Sequence, residues 1–401
     1  MLASGVRGRL AAPGWQLAAC SSMHVVNDAL FAGLYPLLPL LAADLDLSYA
    51  QVGAIKTVYA GASAVLQVPA GLLAERWGEQ LLLAVGTGWV GLGLAAMALA
   101  SGFWVLLVLG LLAGLGGNIQ HPAAASVVSR LFESGRRGTA IGTLNFAGDL
   151  GKVLAPALAG AVALAVGWRG GFLVLAGLGA AFALAYLVLV PQPGRAAASE
   201  GRTWSGSTAA PVTGWGIAEP GIFGLLSVIG MLDSAARGSA LTFLPFVLAD
   251  KGLDAAATSL VFGVLFAAGA AGKLLCGPLS DRVGSTLTIV TTELVTAGAL
   301  IGLLWAAPSS VMLAVVPLGF VLNGTSSVLY ASVAELVHAE RRARGYGLYY
   351  TCTQLASAVA PILYGLLADR VSLGSSLSVL AIATSLSAPL AIILGWRRGR
   401  S

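Results

Sequence analysis

Four acids and four bases stand inside long apolar stretches of this 401-residue chain: Asp28, Asp149, Asp233 and Glu293 against Lys56, Lys152, Arg237 and Lys273. A lone charge at the centre of a bilayer costs ~2.5 to 3.5 kcal/mol even on the most lenient scale. Such groups must be paired, hydrated in a cavity or partly neutralised by protons. Spacing pairs two sets within one helix, Asp149 with Lys152 at i, i+3 and Asp233 with Arg237 at i, i+4. Two readings stand: fixed structural pairs, or pairs that a solute or a proton breaks and remakes. The bases suit an oxyanion, because a fixed ammonium or guanidinium is most useful in low dielectric when it meets one. Protonating Asp28 and Asp149 would leave the set basic and couple proton uptake to anion binding.

His24, Asn27, Asp28 and Phe31 recur at spacings of three, four and seven and therefore share a helix face. His24 and Asp28 are one turn apart, close enough to share a proton, and burial favours the uncharged form of each. Asp28, with His24 and Asp149, is the expected proton-coupling group. The same periodicity places Lys56, Tyr59, Ser63 and Gln67 on one stripe, and Asn145, Asp149 and Lys152 on another. It also gathers Asn118 with His121, Asn323 with Ser326, Ser327 and Tyr330, and Tyr346 with Tyr349, Tyr350 and Gln354. The candidate solute-binding set is His24, Asn27, Asp28, Phe31, Lys56, Tyr59, Asn118, His121, Asn145, Asp149, Lys152, Asp233, Arg237, Lys273, Asn323, Tyr330 and Tyr350. His121, before Pro122, fits a satisfied core hydrogen bond equally well. No nucleophile triad, metal-ligand cluster or nucleotide loop accompanies them, so no enzyme, metal site or cofactor is expected.

The elements that must position these residues are membrane helices. Only 10% of the residues are charged and 57% are hydrophobic, where a soluble domain carries about 25% charged residues. Apolar segments at 14–41, 48–74, 81–100, 103–129, 138–166, 169–190, 218–249, 256–279, 286–307, 309–336, 343–368 and 374–396 mostly reach the ~20 residues that span hydrocarbon. That predicts twelve transmembrane helices and an all-α integral membrane protein. The first segment follows Arg7 and Arg9, is too long for a signal-peptide apolar region and is read as retained. Cys20, Cys276 and Cys352 show no paired spacing, so no disulfide is expected.

The net charge of +5 reports topology, not a nucleic-acid partner. With the N-terminus inside, fifteen arginines fall at cytoplasmic ends and loops, and only Arg169, Lys251 and Arg370 fall on the other side, which predicts both termini in the cytoplasm. Residues 191–217, with Pro191, Pro193, several serines and Pro211, read as a cytoplasmic linker between a bundle at 1–190 and another at 218–401. Trp204 and Trp215 flank it as interface anchors.

Gly71-Leu-Leu-Ala-Glu-Arg-Trp-Gly78 returns 206 residues later as Gly277-Pro-Leu-Ser-Asp-Arg-Val-Gly284. Pro39 with Pro245, Arg137-Gly138 with Arg344-Gly345, and Pro156 with Pro361 keep nearly that offset, so the chain is a tandem repeat. A glycine, two residues, an acid, an arginine and a glycine between the second and third segments of each half resemble the signature loop of the major facilitator superfamily. Within it, His24-x-x-Asn27-Asp28, Tyr35-Pro36-Leu37-Leu38, Gly114-x-Gly116 to His121-Pro122, Gly135-Arg-x-Gly138 and Gly148-x-x-Gly151-x-x-x-x-Pro156 resemble the fosmidomycin-resistance type of proton-coupled exporter. Gly142, Gly151, Pro156 and Gly160 also resemble the antiporter motif, with Ala155 and Ala159 at positions where glycine is usual.

The resemblance implies two pseudo-symmetric six-helix bundles, a mid-membrane binding site, and cavity-lining first, second, fourth and fifth segments in each half. Glu293 then falls on an outer segment, where a structural or snorkelling role is the simpler expectation. Gly71, Glu75, Arg76, Gly78, Gly277, Asp281, Arg282 and Gly284 are the implied gating residues. The function so implied is secondary active transport in an inner (plasma) membrane by alternating access. Proton-coupled antiport, exporting a small organic anion or amphiphile, is expected. Proton-coupled uptake of a carboxylate or organophosphate is the alternative, and a non-transporting sensor the reading from another class. The expected partners are a small-molecule substrate, protons and the lipid bilayer, with the protein acting as a monomer.

Overall fold

The computed structural model describes residues 12–65, 77–132, 134–190, 215–338 and 342–398. Helix α1 (Pro13–Ala32) opens on proline, whose missing N–H is harmless in a first turn. The path breaks at Gly33, passes through a 3-10 turn at Tyr35–Leu37 and resumes as α2 (Leu38–Asp44). Pro36 withholds one backbone donor at that break. Helix α3 (Tyr49–Val65) and α4 (Glu79–Ala98) follow. The fourth expected segment is divided into α5 (Phe103–Gly114) and α6 (Gln120–Leu131), joined through a 3-10 turn at Gly117–Ile119.

Helix α7 (Ser134–Leu189) contains the fifth and sixth segments, bent where Val166 and Gly167 leave helical geometry. Near that bend, Arg169 donates to the Ala100 carbonyl just beyond the end of α4 at 3.2 Å and lies 4.3 Å above the Trp168 ring. The second half supplies α8 (Pro220–Asp250), α9 (Ala255–Val283), α10 (Ser285–Trp305), α11 (Val311–Leu336) and α12 (Arg342–Arg370). The twelfth segment divides into α13 (Leu373–Ser385) and α14 (Ser387–Arg398). Asp254 caps α9 by accepting from the Ala257 amide at 2.8 Å, and Ser372 caps α13 by accepting from Ser375 at 3.0 Å. Each of the twelve expected segments thus has a helical counterpart among the described residues.

The chain groups into two compact units, residues 1–41 with 58–207, and residues 42–57 with 208–401. In the first unit α1 and α4 both pack along α7, around a core that includes Cys20, Met23, Leu83, Ala124, Val128, Leu144 and Tyr186. In the second, Phe223, Leu226, Cys276, Val328, Val333, Tyr349 and Leu394 share one core. There the start of α3 is held by Asp369 of α12, whose two carboxylate oxygens accept from the Tyr49 and Ala50 amides at 2.8 and 2.9 Å. An isolated antiparallel bridge joins Ile217 to Val337.

Large apolar side chains such as Leu92, Trp104, Leu154, Leu164, Val188, Leu313 and Trp396 are exposed, while His24, Asp28, Lys56, Asp233 and Glu293 are buried. That inversion is what hydrocarbon as solvent demands. Nine described helical stretches are long and apolar enough to cross a membrane. The molecule is a multi-pass membrane protein.

Candidate functional site

The first unit gathers a charged cluster from α1 and α7. The Lys152 ammonium lies 2.9 Å from Asp28 Oδ2 and 3.0 Å from Asp149 Oδ1, and His24 Nε2 stands 3.6 Å from the same Asp28 oxygen. One fixed cation therefore serves two acids, a net charge of −1 when both are ionised and His24 is neutral. Asp28 is 5% exposed and Lys152 30%, so the lysine is the more open member. The i, i+3 pair expected within α7 exists, and a third partner comes from another helix.

Glycine makes that approach possible. A Cβ on Gly148 would sit 2.7 Å from Asp28 Oδ2 and from the His24 ring, and one on Gly151 would overlap the Val25 carbonyl. Any larger side chain at either place would push α7 off α1. Phe31 packs on Tyr59, ring centroids 4.7 Å apart and tilted by 35°. Asn27 is buried, and its amide oxygen lacks a hydrogen-bond donor among the described residues. Asn145 is exposed, one turn before Asp149 on α7. The side chains of Asn118 and His121 lie outside the described set. Gln120, which sequence reasoning passed over, is buried with neither amide atom bonded among the described residues.

The second unit holds another cluster. Arg237 Nη2 bonds Asp233 Oδ2 at 3.0 Å and Ser234 Oγ at 3.2 Å, all on α8. Tyr330 of α11 stacks on Tyr350 of α12, centroids 5.1 Å apart and 8° from parallel, and meets Tyr349 edge-on at 5.8 Å. The Tyr346 hydroxyl donates to the Tyr330 carbonyl at 2.8 Å. Tyr330, Tyr349 and Tyr350 stand in the electrostatic field of Arg237. Lys56 is buried on the part of α3 that groups with this unit. Lys273 is half-buried on α9, and its carbonyl accepts from the Ser327 hydroxyl at 3.2 Å. Asn323 turns back to the Gly319 carbonyl of its own helix at 3.4 Å.

Glu293 departs most from expectation. On α10 it is 1% exposed, and it faces Asp233 and the Ser387 hydroxyl of α14. Of the structural and snorkelling roles expected for an outer segment, burial of the carboxylate within the unit argues against snorkelling. The one available signal in the sequence was a single acid midway along an otherwise uncharged segment.

Of the signature loops, Gly71, Glu75 and Arg76 lie outside the described residues. Gly78 and Gly284 adopt nearly the same backbone, φ 91°, ψ 140° and φ 91°, ψ 145°, each just before a helix. That region is essentially closed to residues with a Cβ, so the repeat in sequence is also a repeat in conformation. Asp281 and Arg282 are exposed at the end of α9, and a Cβ on Gly277 would meet open space.

Known proteins match along nearly the whole chain. A fosmidomycin resistance protein of Escherichia coli (strain K12) is 27% identical over 363 residues, 89% of this chain and 87% of the relative. A hexuronate transporter of Bacillus subtilis (strain 168) is 24% identical over 88% of each chain. In fold, the chain is similar to a bacterial homolog of the human lysosomal transporter Spinster, solved in an inward-facing and occupied conformation. The TM-score is 0.81 at 16% identity, covering 95% of this chain and 96% of that one. The model of the Major Facilitator Superfamily matches residues 20–228 and again 226–401. With two successive matches, a repeated signature loop and charged clusters held inside apolar helices, the chain belongs to the Major Facilitator Superfamily and is a membrane transporter, not an enzyme.

Proposed function

We propose that the chain is a proton-coupled antiporter that exports a small amphiphile bearing a hydrogen-bond donor by alternating access, as a monomer in the cytoplasmic membrane with both termini inside. The observation that carries this reading is the Lys152 ammonium shared between Asp28 of α1 and Asp149 of α7, with His24 beside Asp28. Antiport requires solute and proton to exclude each other on one carrier. A solute that presents a hydrogen-bond donor to ionised Asp28 meets this condition, since a protonated Asp28 no longer attracts that donor as strongly. Asn27, buried beside it with an unused acceptor, can take a second donor from the same solute. Export is favoured by the glycine and proline pattern Gly142, Gly151, Pro156 and Gly160, and by the resistance function in the name of the E. coli relative.

One observation favours a second reading, proton-coupled uptake of a carboxylate or organophosphate. Lys152 is the most open member of the cluster, and an oxyanion bound to it is held best when the acids are protonated. Anion and proton then move in the same direction. The name of the B. subtilis hexuronate transporter is consistent with that reading.

The test is flux in proteoliposomes bearing a pH gradient. Asp28→Asn abolishes gradient-driven accumulation and leaves solute exchange at least partly intact; normal accumulation by this variant against a gradient would exclude Asp28 as the coupling group. For the gate, electron-resonance distances between spin labels in wild type and Asp281→Asn differ if the second signature loop locks the cytoplasmic side. Unchanged distance distributions sink that assignment.

A further inference from the structure

We infer that Asp233 and Glu293 form a second proton-holding site, in which the two carboxylates keep one proton between them and Arg237 balances the charge that remains. The pair joins α8 to α10 within the second unit, separate from the Asp28 cluster, and the inference does not depend on the direction of transport.

Charge and hydrogen bonding both require the shared proton. Asp233 and Glu293 are 4% and 1% exposed and face each other. Two neighbouring ionised carboxylates inside a membrane repel, and among the described residues one guanidinium, that of Arg237, stands beside them. That guanidinium is committed to Asp233 at 3.0 Å and to Ser234 at 3.2 Å. Neither Glu293 oxygen forms a hydrogen bond to a described residue, although Asp233 and Ser387 are its neighbours. An ionised carboxylate buried without a donor is the costliest form this side chain could take. A protonated one carries its own donor, and the neighbouring Asp233 carboxylate is an acceptor for it.

Among the described residues, the groups that face the pair bring one further charge, that of Arg237. Facing the pair are Arg237 on α8, Tyr349 on α12 and the Ser387 hydroxyl on α14, while Tyr330 on α11 and Tyr350 on α12 face Arg237. Helix α13 has no titratable side chain, and α9 brings Lys273 within its span. The tyrosines are neutral phenols, so Arg237 is the cation that sets the balance.

Proton movement within the pair is simple to balance. The Glu293 O–H bond breaks as an Asp233 O–H bond forms, and the negative charge passes from Asp233 to Glu293. This step becomes favourable when an anion draws Arg237 away from Asp233. Arg237 is 21% exposed on its side chain against 5% for Asp233, so the guanidinium is the part that outside groups can reach. Glu293 then acts as the inner reserve and Asp233 as the exchange point.

Infrared spectroscopy of the purified full chain, comparing light and heavy water across a pH series, reads protonated carboxyl groups directly. Wild type should show a buried carboxylic-acid band near neutral pH. That band should be lost in Glu293→Gln, lost or shifted in Asp233→Asn, and retained in Asp28→Asn. Arg237→Gln should enlarge it, because without the guanidinium both carboxyls hold a proton. Isosteric Glu293→Gln and Asp233→Asn are compared so that misfolding of one does not decide the result, with thermal melting as the control on folding. Three outcomes would each overturn the inference: no such band in wild type near neutral pH, a band untouched by Glu293→Gln, or a band that survives Asp233→Asn unchanged.

Discussion

At the scale of single residues, Lys152 decides what the first cluster can do. It bonds two acids at once, so removing it strands both Asp28 and Asp149. Breaking a fully buried pair from one side costs ~3 to 5 kcal/mol; because Lys152 is partly open to solvent, Lys152→Gln is expected to cost about 1 to 3 kcal/mol. Thermal melting in detergent measures this, and the double variant Lys152→Gln with Asp28→Asn should recover part of the loss. Recovery of nothing would mean that the two residues are not coupled. Sequence periodicity found Asp28, His24, Asp149 and Lys152 but read Asp149 and Lys152 as a pair within one helix. Spacing along a chain reports which residues share a face, and only the packing of a second helix adds Asp28 as the third member. For Glu293 the sequence left a structural and a snorkelling role open for a related reason. Hydropathy gives a residue's depth in the membrane, whereas the direction of its side chain is set by which neighbours α10 packs against.

At the scale of elements, close contact between α1 and α7 is built on absent side chains. Gly148→Val and Gly151→Val should each cost ~1 to 3 kcal/mol or more by overpacking, and Gly148→Val should in addition separate Asp28 from Lys152. A Gly148→Val protein that melts like wild type would show that the helices have room to spare. Gly284→Ala tests the second signature loop: forcing a Cβ into φ 91°, ψ 145° should lower stability by ~1 to 3 kcal/mol, and Gly78→Ala should behave alike. Asp369 provides an independent check in the second unit. Its two bonds to the first amides of α3 make it that helix's N-terminal acceptor, and Asp369→Ala should cost ~1 to 2 kcal/mol. The twelve segments were legible because each long apolar run has one membrane solution. Their interruptions at Gly33, between α5 and α6, and at Leu386 were not, because a one-turn break barely alters a hydropathy average.

At the scale of the whole molecule, the repeat is visible in sequence, in the double family match and in the matching backbones of Gly78 and Gly284. Orientation rests on charge: fifteen arginines on one side against Arg169, Lys251 and Arg370 on the other predict cytoplasmic termini. Single cysteines placed at Ser205 and at Lys251, in a chain with its own cysteines replaced, should react with an impermeant thiol reagent from opposite sides of the membrane. Labelling of both from the same side would reverse or break the topology. Solute class is best narrowed by thermal stabilisation with phosphonates, carboxylates, organic cations and neutral amphiphiles, since a ligand at 100 times its Kd adds ~2.7 kcal/mol. The central claim, that solute and proton exclude each other at Asp28, is then tested by adding the most stabilising of these compounds to the purified protein in weakly buffered solution with a pH indicator. The account predicts that binding releases protons in wild type and that Asp28→Asn abolishes the release; proton uptake on binding, or no pH change at any starting pH, would contradict it.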